Sequence, residues 1–97
     1  LKSQLAEGTA SKADVTKNLQ EQDKIFNFNQ NLAEGWKFYA AGNYQQAVKS
    51  FTDAINIFPR NAYGYFGRGT AYSELKEMQK ALDDFNKSIE LKFKKIT

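Results

Sequence analysis

Apolar residues from position 32 onward recur at steps of three and four residues, which is the spacing of one face of an α-helix. Four such stretches follow one another, around residues 32–41, 45–58, 62–75 and from 78 onward. Each is long enough for a helix of ordinary length. The pattern therefore predicts an all-α fold.

Signals for helix ends lie between these stretches. Gly42 and Asn43 close the first, since glycine accepts the left-handed backbone that ends many helices. Pro59 ends the second, because proline cannot continue a helix. Asn61 stands where the third helix needs an N-cap, and we expect its side chain to cap that helix.

A shift of 34 residues places the second half of the chain on the first. Identical residues then coincide at four pairs of positions: Gly35 and Gly69, Ala47 and Ala81, Phe51 and Phe85, Ile55 and Ile89. Nearby positions keep their character, as where Phe38 meets Tyr72. Self-similarity at a fixed period predicts two copies of one helix-turn-helix unit.

This unit resembles the tetratricopeptide repeat, a two-helix unit of about 34 residues. The family's pattern of small and bulky residues appears as Gly35, Phe38, Tyr44, Ala47, Phe51, Ala54 and Pro59, and again as Tyr65, Gly69, Tyr72, Ala81, Phe85 and Ser88. Three residues depart from it: Asn31 in place of tryptophan, Lys76 in place of a turn glycine, and Phe93 in place of the closing proline. The resemblance covers residues 28–95 and implies a solenoid with a concave binding face.

The resemblance divides the chain into an extension at residues 1–27, a first repeat at 28–61, and a second repeat at 62–97 with an extended last helix. Ser11 and Asp14 resemble a capping box, which predicts a further helix from about Lys12. The sequence FNFNQN at 26–31 leaves two alternatives, one helix over 12–41 or a turn that lets an extra helix fold back. Because the chain begins with Leu1, we also weigh that it is a fragment or a processed product.

In the tetratricopeptide family, the first helix of each repeat lines the concave face. The matching positions here are Asn29, Leu32, Trp36, Tyr39, Tyr63, Phe66, Thr70 and Ser73. The resemblance implies an apolar, aromatic groove, so we expect a protein-interaction module that binds an apolar or amphipathic peptide of a protein partner. The alternative for Leu32, Trp36 and Phe66 is that the protein's own N-terminal segment covers them.

Some members of the family grip the C-terminal carboxylate of chaperones with lysine and asparagine side chains. At those positions this chain has Leu32, Trp36 and Gly67. The resemblance therefore does not extend to carboxylate capture, because a buried carboxylate needs paired donors.

A second function left open is structural, as a unit that self-associates or forms part of a longer array. The apolar stripe Leu82, Phe85 and Ile89 continues through Phe93 and Ile96 at helical spacing. We expect Phe93 and Ile96 to contribute to a homo-oligomer contact.

Glycines in the stretch 56–72 raise the question of a phosphate-binding turn. Gly64, Gly67 and Gly69 read G-x-x-G-x-G after a helix end, which is not the dinucleotide signature that follows a strand. We expect Gly69 to let the two helices of its repeat meet closely. We expect Gly64 and Gly67 to leave hollow space, and Tyr65 and Tyr72 to belong to the buried face.

Composition narrows the function further. With no histidine and no cysteine, the chain lacks the usual catalytic triads, thiolate metal sites and disulfides, so we expect no enzyme and no cofactor. The net charge is +3, and positive and negative residues are mixed along the chain apart from the basic cluster Lys92, Lys94 and Lys95. This mixed distribution argues against a nucleic-acid partner. No run approaches the ~20 apolar residues of a membrane span, and the cytoplasm is only a default expectation for the compartment.

Overall fold

The computed structural model describes the backbone of residues 12–93 and the side chains of residues 16–92. Over residues 12–93, four α-helices follow one another: α1 Lys12–Ala40, α2 Tyr44–Ile57, α3 Ala62–Glu74 and α4 Met78–Phe93. Over residues 12–93 the structure contains no strand. The predicted all-α fold is confirmed.

The helices form two helical hairpins, one from α1 and α2 and one from α3 and α4, and the two hairpins stack side by side. The second half of α1 packs against α2, and α3 packs against α4. Contacts between α2 and α3, with a smaller contact between α1 and α3, join the two hairpins. This succession of neighbour contacts is the arrangement of a helical-repeat solenoid.

The N-terminal segment is not a separate helix. The asparagine-rich joint at 26–31 lies inside α1, a single helix of 29 residues. Phe28 is buried there and packs on Phe58, with the ring centroids 5.1 Å apart. This contact fixes the joint, because tertiary packing outweighs the weak helix propensity of asparagine. The fold-back alternative is therefore wrong for the residues from 12 onward.

Both hairpins close with the same turn. Gly42 after α1 has a φ of 82°, and Lys76, at the equivalent position after α3, has a φ of 66°. In each turn a backbone N–H reaches five residues back, from Asn43 to the Phe38 carbonyl at 2.8 Å and from Glu77 to the Tyr72 carbonyl at 3.0 Å. The missing glycine of the second repeat thus leaves a lysine in the left-handed region.

The predicted cap of α3 is confirmed. The side-chain oxygen of Asn61 accepts a hydrogen bond from the backbone N–H of Tyr63 at 2.9 Å. This bond satisfies one of the donors that a helix start leaves without an internal partner.

Phe51 is the centre of the core and is fully buried. One edge of its ring lies between α1 and α3, against the backbones of Gly35 and Gly67. A Cβ atom at Gly35 would lie 2.5 Å from Phe51 Cε1, and one at Gly67 would overlap the same ring edge. A Cβ atom at Gly64 would lie 2.7 Å from Ile55 Cγ1.

The expectation that Gly64 and Gly67 leave hollow space is therefore wrong. Large side chains of α2 fill the room that the two glycines provide. Gly69 does allow a close contact within its own repeat, since a Cβ atom there would lie 3.0 Å from Phe85 Cδ1. Glycine thus serves close packing both within a repeat and between repeats.

A partly buried ion pair joins α3 to α4, with the Arg68 side chain 21% exposed and the Asp84 side chain 8% exposed. Arg68 donates to Asp84 through two bonds, Nε to Oδ2 at 2.8 Å and Nη2 to Oδ1 at 2.9 Å. Arg68 Nη1 also donates to Thr52 Oγ1 on α2 at 3.3 Å. The hydrogen bonds to Asp84 raise the pKa of Arg68, although burial opposes them. Such two-pronged pairs have a fixed geometry.

Tyr65 and Tyr72 flank this ion pair and are half-buried, not buried as expected. The Arg68 Cζ atom lies 5.8 Å from the Tyr65 ring centroid and 5.9 Å from that of Tyr72. Both rings therefore shield the guanidinium group while keeping one side in solvent.

Candidate functional site

Aromatic side chains from α1 and α3 form a continuous row. The Trp36 ring centroid lies 5.6 Å from that of Tyr39 and 6.1 Å from that of Phe66. Phe66 in turn lies 6.0 Å from Phe85 of α4. We use the name aromatic groove for the face formed by Leu32, Trp36, Tyr39, Tyr63, Phe66 and Thr70, which are the residues predicted from the sequence.

Exposure differs strongly along the groove. Tyr63 is 66% exposed, Phe66 49% and Trp36 37%, whereas Leu32 and Tyr39 are half-buried against the core cluster around Phe51. The two α3 rings therefore offer most of the free surface. Exposed aromatic surface gathered on one face is typical of an interface.

Trp36 belongs to the core as well as to the groove. Its ring stands edge-on to the Phe51 ring, with centroids 5.0 Å apart. The sequence pattern placed Trp36 outside the core positions of the repeat, whereas in the structure it is only 37% exposed and also contacts the core. Truncating Trp36 would thus disturb both packing and the groove surface.

Polar groups at the groove are already partly engaged. The Thr70 hydroxyl donates to the Phe66 carbonyl of its own helix at 2.8 Å, so its hydrogen is already used within α3. Tyr39 donates its hydroxyl to Glu74 Oε2 at 3.4 Å. Burial first, and then the charge and hydrogen bond of Glu74, raise the pKa of Tyr39.

A cavity of about 320 Å³ opens at the Tyr63 end of the groove. Its lining residues come from α3, from α4 and from the loop before α3: Arg60, Asn61, Ala62, Tyr63, Phe66, Ser88, Leu91 and Lys92. We call it the end cavity. The sequence predicted Tyr63 and Phe66 as groove residues but not the cavity, whose α4 wall comes from a helix that the family pattern does not assign to the groove.

The described part of the N-terminal segment does not cover the groove. Residues 16–27 of α1 are all exposed, so no face of this part of the helix is buried. The alternative that this segment shields Leu32, Trp36 and Phe66 therefore has no support from residues 16–27.

The predicted self-association residues fall at the limit of the structure. The side chain of Phe93 and all of Ile96 lie outside the described residues. The stripe that leads to them is present on α4, where Ile89 is 54% exposed, whereas its first-repeat equivalent Ile55 is 7% exposed because α3 packs on it.

Within the part of the chain that the structure describes, no group of three or more carboxylates is placed to hold a metal ion. None of the described helices is long and apolar enough to cross a membrane.

The comparison with protein families agrees with the geometry of the second hairpin, because residues 62–94 match the family model of the tetratricopeptide repeat. The second hairpin is a tetratricopeptide repeat. The resemblance read from the sequence is confirmed.

Relatives of this tetratricopeptide repeat protein are much longer chains. Hsp70-Hsp90 organizing protein 2 of Arabidopsis thaliana is 38% identical over 60 residues, which are 62% of this chain and 10% of that protein. Stress-induced-phosphoprotein 1 of Caenorhabditis elegans is 30% identical over 83 aligned positions, and the match covers 80% of this chain and 26% of that protein. The chain therefore spans between a tenth and about a quarter of the length of these relatives.

A solved structure shares the fold. The structure described as the TPR2AB-domain:pHSP90-complex of yeast Sti1 matches with a TM-score of 0.67 at 24% identity, over 93% of this chain and 39% of that chain. This likeness shows that the described helices follow the tetratricopeptide solenoid.

Proposed function

We propose that this tetratricopeptide repeat protein is a protein-interaction module that holds an apolar or amphipathic peptide in the aromatic groove. The observation that carries the proposal is the exposure of Tyr63, Phe66 and Trp36 on one face. Aromatic anchors of this kind dominate the binding energy of interfaces, while the surrounding contacts exclude water.

The chemistry of the groove favours apolar contacts over the capture of a terminal carboxylate. Leu32, Trp36 and Gly67 stand where carboxylate-gripping relatives have donors, and the Thr70 hydroxyl is bonded within α3. The yeast Sti1 structure is a complex with pHSP90, so a peptide is a partner that suits the fold. For this chain, we propose a peptide whose side chains, and not its terminal carboxylate, supply the affinity.

The test is a peptide selected on the purified protein from a phage-displayed random library. Its dissociation constant would be measured by calorimetry for the parent, for Phe66→Ala and for Leu19→Ala. Leu19 is the control because it is an exposed apolar residue on α1, 62% exposed and about 26 Å along the helix from Trp36.

We expect Phe66→Ala to weaken binding by about 1 to 3 kcal/mol and Leu19→Ala to leave it unchanged. Equal binding of the peptide by the parent and by a folded Phe66→Ala variant would contradict the proposal that the peptide binds in the aromatic groove.

A second candidate function is assembly through the outer face of α4. Leu82 and Ile89 are both exposed there, and Phe85 is only half-buried. In the first repeat, α3 covers the equivalent face. We propose that a second copy of the chain covers this face in the second repeat, together with the predicted contact at Phe93 and Ile96.

A further inference from the structure

The end cavity exists because the second repeat lacks two rings that the first repeat has. In the first repeat, Phe28 and Phe58 pack together with ring centroids 5.1 Å apart. The shift of 34 residues places Ala62 and Lys92 at these two positions, and both line the cavity. A methyl group and a solvent-directed ammonium replace two phenyl rings, so the space between α3 and α4 stays open.

The size and walls of the cavity suit one large apolar side chain. Tyr63 and Phe66 form the α3 wall, and Leu91 contributes from α4. A volume of about 320 Å³ lies at the lower end of the range of small-ligand pockets, roughly 300 to 1,000 Å³. The equivalent place in the first repeat shows that the fold accepts aromatic rings there.

Charge at the cavity has one sign. Arg60 and Lys92 both line it and both are exposed. Neither belongs to the ion pairs found among the described side chains, which join Arg68 to Asp84, Lys80 to Glu77 and Lys87 to Glu90. Two cations at the mouth favour acidic residues in whatever enters and disfavour basic ones.

We infer that the end cavity takes one aromatic side chain from a peptide that carries acidic residues next to this anchor. The inference rests on the proposed function, because Tyr63 and Phe66 belong both to the groove and to the cavity. It adds the position of the anchor and the charge that flanks it. The Glu74 carboxylate at the other end, bonded to Tyr39, gives the groove an electrostatic direction.

The test uses three short synthetic peptides with acetylated and amidated ends. One has a phenylalanine between aspartates, the second has the same phenylalanine between lysines, and the third has alanine between aspartates. Each is titrated into isotope-labelled protein while backbone amide shifts are followed by NMR, which detects millimolar binding. We expect the first peptide to shift the amides of Ala62 and Leu91 with an affinity about tenfold or more above the affinities of the other two.

Three variants separate shape from charge. Ala62→Phe restores a ring of the first repeat and fills the cavity, so we expect at least about a tenfold loss of affinity for the aspartate-phenylalanine peptide. Lys92→Glu should weaken that peptide and strengthen the lysine-flanked one. Lys17→Glu on the exposed part of α1 changes the net charge equally and should leave both affinities unchanged. Thermal melts establish that each variant is folded.

Equal binding of the aspartate-flanked and lysine-flanked peptides would overturn the inference, and so would undiminished binding by a folded Ala62→Phe variant. The blocked ends exclude a terminal carboxylate as the cause of binding. The groove itself is judged separately, with the library-selected peptide and Trp36. Shifts at Trp36 without shifts at Ala62 and Leu91 would contradict the inference about the end cavity and leave the groove proposal standing. Shifts at Ala62 and Leu91 without shifts at Trp36 would contradict the groove proposal and leave the inference about the end cavity standing.

Discussion

At the scale of single residues, Tyr63 and Trp36 share the groove but differ in what they contact. Tyr63 is 66% exposed and lies beside the end cavity. Trp36 stands edge-on to the buried Phe51 ring at 5.0 Å. The sequence indicated both as groove residues through the family pattern. It could not show that Trp36 also packs on the core, since this depends on the position of the Phe51 ring in three dimensions.

The first prediction follows from this difference. Tyr63→Ala should weaken binding of the selected peptide by about 1 to 3 kcal/mol without changing the thermal midpoint. Trp36→Ala should weaken binding and also lower the free energy of unfolding by about 2 kcal/mol, less than the loss for a fully buried ring. Calorimetry and thermal melts of both variants measure the two effects. A Tyr63→Ala variant that loses stability but keeps its affinity would reverse the assignment.

Lys76 affects the stability of the protein through its backbone conformation. It holds a φ of 66° at the position where the first repeat has Gly42. We predict that Lys76→Gly stabilises the protein by about 0.5 to 1 kcal/mol, because glycine adopts this conformation without the steric cost of a Cβ atom. Gly42→Lys should destabilise it by a similar amount or more. Urea unfolding of the two variants gives the comparison, and a Lys76→Gly variant less stable than the parent would contradict the account.

At the scale of helices, local signals predicted most boundaries. Gly42, Pro59 and Asn61 mark the ends of α1 and α2 and the start of α3, because each acts through its own backbone or side chain within a few residues. The continuity of α1 was not predictable in this way. It depends on the packing of Phe28 against Phe58, two residues far apart in the sequence, against the local preference of the asparagines around position 28.

The ion pair between α3 and α4 was also missed, although the repeat contained a signal for it. The shift of 34 residues places Arg68 on Glu34 and Asp84 on Ser50. In the first repeat, Ser50 donates its hydroxyl to Glu34 Oε1 at 3.0 Å. Both repeats thus bond the same two helix positions with different side chains. Composition alone could not show which charged residues were buried.

This equivalence gives the third prediction. Arg68→Glu should destabilise the protein by about 3 kcal/mol or more, because it sets a second carboxylate against the buried Asp84. Adding Asp84→Ser should recover part of the loss, since the pair then copies Glu34 and Ser50. Urea unfolding measures the coupling free energy between positions 68 and 84, provided that the dependence of the unfolding free energy on urea concentration is the same for all variants. We expect a coupling of about 1 to 3 kcal/mol. Strictly additive losses would mean that the two positions do not interact.

At the scale of the whole molecule, the two repeats differ in whether another helix covers the outer face of their second helix. Helix α3 buries the outer face of α2, with Ile55 against Gly64, whereas the same face of α4 leaves Ile89 exposed. The sequence indicated this stripe through the spacing of Leu82, Phe85 and Ile89. Which surface meets it cannot be read from one chain, because the spacing is the same for a second copy as for another helix.

The fourth prediction is self-association through this face. The parent should sediment as a dimer or larger species at high micromolar concentration, and a Leu82→Glu, Ile89→Glu double variant should sediment as a monomer. Leu19→Glu serves as the control, because it places the same charge on exposed α1. Analytical ultracentrifugation decides the matter, and a parent that stays monomeric alongside an equally folded double variant would remove the assembly function.

The central claim, that a peptide occupies the aromatic groove, has one direct measurement. Trp36 is the single tryptophan of the chain, so its indole N–H gives one resolved NMR signal. Titration of the library-selected peptide into labelled protein should move this signal together with the amides of Phe66 and Thr70, saturating at the calorimetric dissociation constant. An indole signal that stays in place while the peptide saturates the protein would contradict the groove as the binding site.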